Sequence, residues 1–198
     1  MKEKLKQNMH IVFLLDRSGS MKSAELDTIG GYNSYLEKNK NNQNKTYITT
    51  VLFDDNIEIL HNKKEINKVK ELTTEEYFAR GTTALLDAIG ITITKIKKKA
   101  DEKILFVITT DGLENASKEF TKENIKKLID ERKDWEFIFL GSTIDSYKEA
   151  STLGIKEENT SNYQKDKKGV MKMFNAVDKL SRCIMEENPI DNWKEDLE

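Results

Sequence analysis

Three short runs along the chain are apolar almost without interruption: Met9 to Leu15, Ile104 to Thr109 and Trp135 to Leu140. They are rich in β-branched and aromatic residues and lack the alternation of a half-exposed strand, which predicts central parallel strands covered on both faces. Elsewhere apolar residues recur every three or four positions: Ile29, Tyr32 and Leu36; Leu85, Ile89, Ile93 and Ile96; Ile125, Leu128 and Ile129; Val170, Phe174, Val177 and Ile184. That spacing lays an apolar stripe along an amphipathic helix in each segment.

Thr46 to Phe53 and Ile57 to Leu60 flank the polar turn Asp54-Asp55-Asn56 and read as a β-hairpin at a sheet edge, its second strand antiparallel to the rest. A shorter helix, Ser146 to Leu153, ends at Gly154, a residue suited to a left-handed cap. Ile155 to Tyr163 carries a last, weak strand, and the final helix stops before Pro189. Strands alternating with helices, joined by right-handed crossovers, give an α/β, Rossmann-like doubly wound sheet with helices on both faces. The expected organisation is a lead-in at 1–8, one domain at 9–188, and a loosely held acidic tail at 189–198.

Composition narrows the partners. Of the 198 residues 34% are charged, yet the formal net charge is only -2, so no global field draws in nucleic acid or a membrane surface. No run approaches the roughly 20 apolar residues of a spanning helix, and the N-terminus carries no signal-peptide core. With one cysteine, Cys183, an internal disulfide is excluded, and a cytoplasmic location is expected.

Chemistry gathers where strands end. The first strand runs into Asp16-Arg17-Ser18-Gly19-Ser20 and the strand Ile104 to Thr109 into Thr110-Asp111-Gly112, so each sets a carboxylate just past its carboxyl edge. In open α/β sheets that edge, where strand order reverses, is the ligand site. If the two strands are neighbours, Asp16 and Asp111 converge, and a cation between them removes their repulsion. Ser18, Ser20 and either Thr82 or Thr83, at the start of the helix Ala84 to Lys98, add hydroxyl oxygens. A set without sulfur or imidazole favours Mg²⁺ first, with Mn²⁺ or Ca²⁺ also suited, over zinc or copper.

These residues carry a resemblance. Asp16-Arg17-Ser18-Gly19-Ser20, then Gly81-Thr82-Thr83 ahead of Ala84-Leu85-Leu86-Asp87, then Thr109-Thr110-Asp111-Gly112 resemble the three parts of the metal-ion-dependent adhesion site of von Willebrand factor type A domains, in order. The first motif, Asp-X-Ser-X-Ser, is matched in full. The second usually reads Gly-Gly-Thr, and here Thr82 replaces the second glycine; register with the following helix favours Thr83 as the ligand. The resemblance implies a six-stranded sheet of order 3-2-1-4-5-6 with strand 3 antiparallel, and a cation that coordinates an Asp or Glu carboxylate of a partner protein. The segments 111–117 and 135–142 look like those of small, stand-alone bacterial and phage-associated members.

Other readings attach to the same residues. A Ser-His catalytic pair is disfavoured because His10 precedes Asp16 on one strand by about 20 Å, and His61 follows the antiparallel strand. A haloacid-dehalogenase-type phosphotransferase also uses Mg²⁺ and an aspartate after its first strand, but it needs a second aspartate where this chain has Ser18. A scaffold with a vestigial metal site is the third alternative. Arg17, Lys22 and Arg80 read as solvated surface charge before a role in steering acidic partners, and the basic run Lys95 to Lys99 as a helix end.

Overall fold

The computed structural model describes residues 8–41, 45–143, 145–190 and 192–197; the lead-in except Asn8, and the tail residues 191 and 198, lie outside them. Six strands form one sheet: β1 Asn8–Asp16, β2 Thr46–Phe53, β3 Ile57–Glu65, β4 Glu102–Thr110, β5 Trp135–Gly141 and β6 Thr160–Asn162. Their order is β3-β2-β1-β4-β5-β6, and only the β2 to β3 pairing is antiparallel. The helices are α1 Glu25–Asn39, α2 Leu85–Lys95, α3 Lys122–Asp130, α4 Ser146–Thr152 and α5 Lys167–Glu186. Among the described residues no helix is long and apolar enough to cross a membrane.

The pleat of β1 sorts its side chains between two cores. Met9, Ile11, Phe13 and Leu15 point into the layer of α1 and α5, where the Phe13 ring meets Tyr32 and Tyr35 edge-on at 5.6 and 5.2 Å. Val12 and Leu14 point into the opposite core with Leu85, Ile89, Ile125 and Leu153 of α2, α3 and the α4 end. Two-sided burial is therefore what the uninterrupted apolar runs encode.

Several segments depart from expectation. β3 runs on to Glu65 through Asn62-Lys63-Lys64, because an edge strand needs apolar residues on one face only. α2 stops at Lys95 instead of Lys98; Lys98 leaves the helix to pair with Asp134, so the basic run is only partly a helix end. The last strand shrinks to Thr160–Asn162. Gly154 does adopt a left-handed φ of 83° after α4. The tail is not loose where described: the Trp193 side chain is buried, and its indole Nε1 donates to the Glu158 carbonyl at 3.0 Å.

Because β1, β2, β4 and β5 are parallel, their carboxyl ends line up along one edge. β1 lies directly between β2 and β4, with Leu15 opposite Thr109 and Asp16 opposite Phe53. Asp16 therefore ends β1 while Asp54 and Asp111 follow β2 and β4, so the three sit at adjacent strand tips.

Candidate metal centre

The loop after β1 is built around the Asp16 carboxylate, which is fully buried. Its Oδ1 accepts the Ser18 amide at 2.7 Å, folding the chain back on itself, and its Oδ2 accepts the Thr110 hydroxyl at 2.5 Å from the end of β4. The turn that follows, Gly19–Ala24, brings Ser20 Oγ to 3.1 Å from Ser18 Oγ and to 2.5 Å from Asp111 Oδ1, to which it donates. Neighbour relations across β1 and β4 thus become side-chain contacts.

The third segment arrives from 66–84, which tucks Val69, Leu72 and Tyr77 under the sheet edge. Tyr77 donates its hydroxyl to the Asp16 carbonyl. Gly81 sits at φ 64°, and a side chain there would strike the Asp55 carboxylate, so glycine is required. Its carbonyl accepts the Gly19 amide at 3.2 Å, tying this loop to the serine turn.

Beyond Gly81 the two threonines part company. Thr82 is exposed, whereas Thr83 is buried. A Cβ built on Gly112 would lie 2.9 Å from Thr83 Oγ1 and 3.6 Å from Ser20 Oγ, so both hydroxyls converge on the glycine beside Asp111. Asn115 fixes Thr83 in place: its side chain accepts the Thr83 amide at 2.9 Å and its own amide donates to the Thr83 carbonyl at 3.1 Å. Glu114 accepts the Leu86 amide in the first turn of α2. The Asp111 loop and the helix start are therefore one unit, a role for 114–115 that local sequence pattern does not reveal.

All five residues singled out from the sequence, Asp16, Ser18, Ser20, Thr83 and Asp111, are thus gathered at one sheet edge. Ser20 is exposed, so the cluster opens to solvent. Burial pushes the Asp16 carboxyl above its ordinary range; hydrogen bonds from Thr110 and Ser18 oppose the shift, and the nearby Asp111 charge adds to it. Among the described residues no cationic side chain pairs with Asp16. Asp111 does have one partner: Lys165 Nζ donates to its Oδ2 at 2.6 Å.

The donor set fits a hard cation. Adjacent ligands on an octahedral Mg²⁺ at about 2.0–2.1 Å stand about 2.9 Å apart, close to the spacing between the two serine hydroxyls. Among the described residues no three acidic, histidine or cysteine side chains meet, so hydroxyls must supply part of any coordination shell. His10 and His61 stay away from it, bonded to Thr49 and Thr50 of β2 at 2.8 and 3.2 Å.

Arg17 corrects an expectation. It is buried rather than solvated, its Nε 2.8 Å from Asp54 Oδ2 and its Nη1 2.8 Å from Glu58. The arginine at the variable position of Asp-X-Ser therefore turns away from the site and neutralises the neighbouring strand tip. Arg80 reaches the same Asp54 oxygen at 2.9 Å while covering the Phe78 ring, and Lys22 pairs at the surface with Glu25.

The von Willebrand factor type A domain model matches residues 10–176. Among solved structures, a point-mutant form of the PilB minor pilin from Streptococcus sanguinis superposes with a TM-score of 0.71 at 11% identity, covering 94% of this chain and 64% of the pilin. Proximal thread matrix protein 1 from the mussel byssus, in a form with a zinc occupied MIDAS motif, gives 0.62 at 16% identity, over 91% of this chain and 46% of that one. A von Willebrand factor type A protein from Catenulispora acidiphila gives 0.64 at 12%, over 88% and 42%. The chain therefore spans less than two thirds of the length of these structures. A search of the curated proteins gives no match.

Proposed function

With residues 10–176 matched, the chain belongs to the von Willebrand factor type A family, and we propose that it is a protein-binding module acting through a divalent cation held by Asp16, Ser18, Ser20, Thr83 and Asp111. One observation carries the reading: Asp16 is fully buried, sits beside Asp111, and has hydrogen bonds but, among the described residues, no counter-charge. A buried carboxylate in that condition is costly unless it is protonated or a cation joins it. The zinc found at the corresponding motif of the mussel protein supports a divalent metal; the oxygen-only donor set favours Mg²⁺, with Mn²⁺ or Ca²⁺ as substitutes.

The cation would supply a Lewis-acidic position for an outside carboxylate. The protein's part is to hold two carboxylates and three hydroxyls in place, which keeps the number of anionic ligands at two and leaves the ion electrophilic. The surroundings suit a protein partner. The large apolar side chains exposed among the described residues are Leu26, Phe78 and Leu113. Leu26 opens α1 behind the serine turn, Phe78 lies on the loop leading to Thr83, and Leu113 follows Asp111 and Gly112. All three lie on chain segments that adjoin candidate ligands, and an Asp or Glu flanked by apolar side chains suits such a setting. Binding, rather than catalysis, is the favoured activity, since neither histidine reaches the serines.

Calorimetric titration of Mg²⁺ and Mn²⁺ into wild type and Asp111→Ala tests the reading. One saturable site in wild type, with affinity reduced at least about tenfold in the variant, is the expected outcome. Equal responses from the two proteins reject Asp111 as a site residue.

A further inference from the structure

We propose that Lys165 is a built-in counter-cation of this site, which a divalent ion must displace from Asp111, so that the lysine sets how weakly metal is held. The inference rests on the metal-binding reading above. The Asp111 side chain is 1% exposed and has both oxygens engaged: Oδ1 by the Ser20 hydroxyl at 2.5 Å and Oδ2 by Lys165 Nζ at 2.6 Å. The same ammonium donates to the Ser20 carbonyl at 2.8 Å. Lys165 thus bridges the β4 tip and the serine turn, the two segments that hold most of the candidate ligands.

The two contacts on Asp111 differ in kind. A serine hydroxyl can donate its hydrogen to Asp111 and still offer a lone pair to an ion, so Ser20 is compatible with metal. An ammonium has three donors and no lone pair, and it carries a charge that a dication repels. With the lysine in place, the cluster of Asp16, Asp111 and Lys165 carries one net negative charge instead of two. Part of the electrostatic gain from a divalent ion is therefore already taken.

Lys165 is held where it is by the chain around it. The Tyr163 amide donates to the Gly141 carbonyl at 2.8 Å, and Asp166 caps α5 by accepting the Gly169 amide at 2.7 Å. Gly169 has to be glycine, since a Cβ there would lie 2.0 Å from the Gln164 carbonyl. This short, clamped connection sends one long side chain over the site, and its 30% exposure leaves the ammonium a route into solvent when it is displaced.

The test uses the full chain with Lys165→Met, Lys165→Gln as a second charge-free variant, and Lys165→Arg to keep the charge. Mn²⁺ alone is titrated by calorimetry at fixed ionic strength, and thermal unfolding is followed with chelator present. Both charge-free variants are expected to bind Mn²⁺ about tenfold more tightly than wild type, equivalent to about 1.4 kcal/mol, and to melt lower with chelator because the two aspartates then face each other uncompensated. Lys165→Arg is expected to stay within about twofold of wild type, one positive charge having replaced another. Wild-type or weaker affinity in the charge-free variants overturns the role of Lys165 while leaving the metal site intact. If wild type and variants all fail to bind Mn²⁺, the metal-binding reading falls and takes this inference with it.

Discussion

Asp16 and Asp54 sit at the tips of adjacent parallel strands, and both are fully buried. Burial pushes each carboxyl upward. At Asp54 hydrogen bonds from Arg80, the Asn56 amide and Arg17, with the Arg17 charge, outweigh it and hold the group below its ordinary range. At Asp16 the partners are a hydroxyl and an amide, and burial wins. The two positions share a backbone setting and differ in counter-charge. A sheet tip can thus bury an aspartate as a closed ion pair or leave it in want of a cation, and only the second kind is equipped to take one from solution.

Breaking the closed pair should have the largest effect. Arg17→Met leaves Asp54 with Arg80, which is half exposed, and should cost about 3–5 kcal/mol in urea unfolding. A loss under about 1 kcal/mol would show the two tips to be less different than their contacts imply. Burial that outweighs the neighbouring charges can also be examined in a base, at the opposite end of the sheet. His10 is buried, and desolvation lowers its pKa to about 4, with Glu102 opposing the shift and Lys63 adding to it. The folded imidazole therefore stays neutral while the unfolded one takes a proton below about pH 6.5, so stability should fall by up to about 3 kcal/mol between pH 6.5 and 4. Denaturant melts of His10→Gln across that window should lack this portion of the slope.

The smallest change in stability is expected at the open tip. With its pKa raised in the fold, Asp16 contributes stability below its unfolded pKa and loses it as pH rises through the folded one. At neutral pH Asp16→Asn should thus leave metal-free stability unchanged or higher, yet abolish the rise in melting temperature on adding Mn²⁺. A strongly destabilised variant would mean that Asp16 is as well compensated as Asp54.

Much of this was readable in the sequence because two-sided burial writes unbroken apolar runs, and the sheet order that the family resemblance implies then set Asp16 beside Asp111. Register with the following helix likewise favoured Thr83 over Thr82 as the ligand; of the two, Thr83 is the buried one. Long-range polar partnerships left no such trace. Arg17 stands in a polar loop, and its partner Asp54 is 37 residues away; nothing local distinguishes it from a solvated arginine. Lys165 lies 54 residues from Asp111 in a chain where 34% of residues are charged. The polar second half of β3 and the packed Trp193 were missed for a related reason: each is held by one face or one side chain, too little to imprint a period.

The anchoring of Trp193 separates the two ends of the described chain. Its indole is fastened at the Glu158 carbonyl, just ahead of β6, whose Thr160 lies beside Phe139 and so level with Leu14, well along β1 from Asn8. Asn8 thus enters at the pole away from the aspartates and their hydroxyls, whereas Trp193 is held part-way towards them. A linker, tag or solid support joined ahead of Asn8 would therefore leave the aspartate cluster pointing outward, as a plug presents its prongs away from the cable.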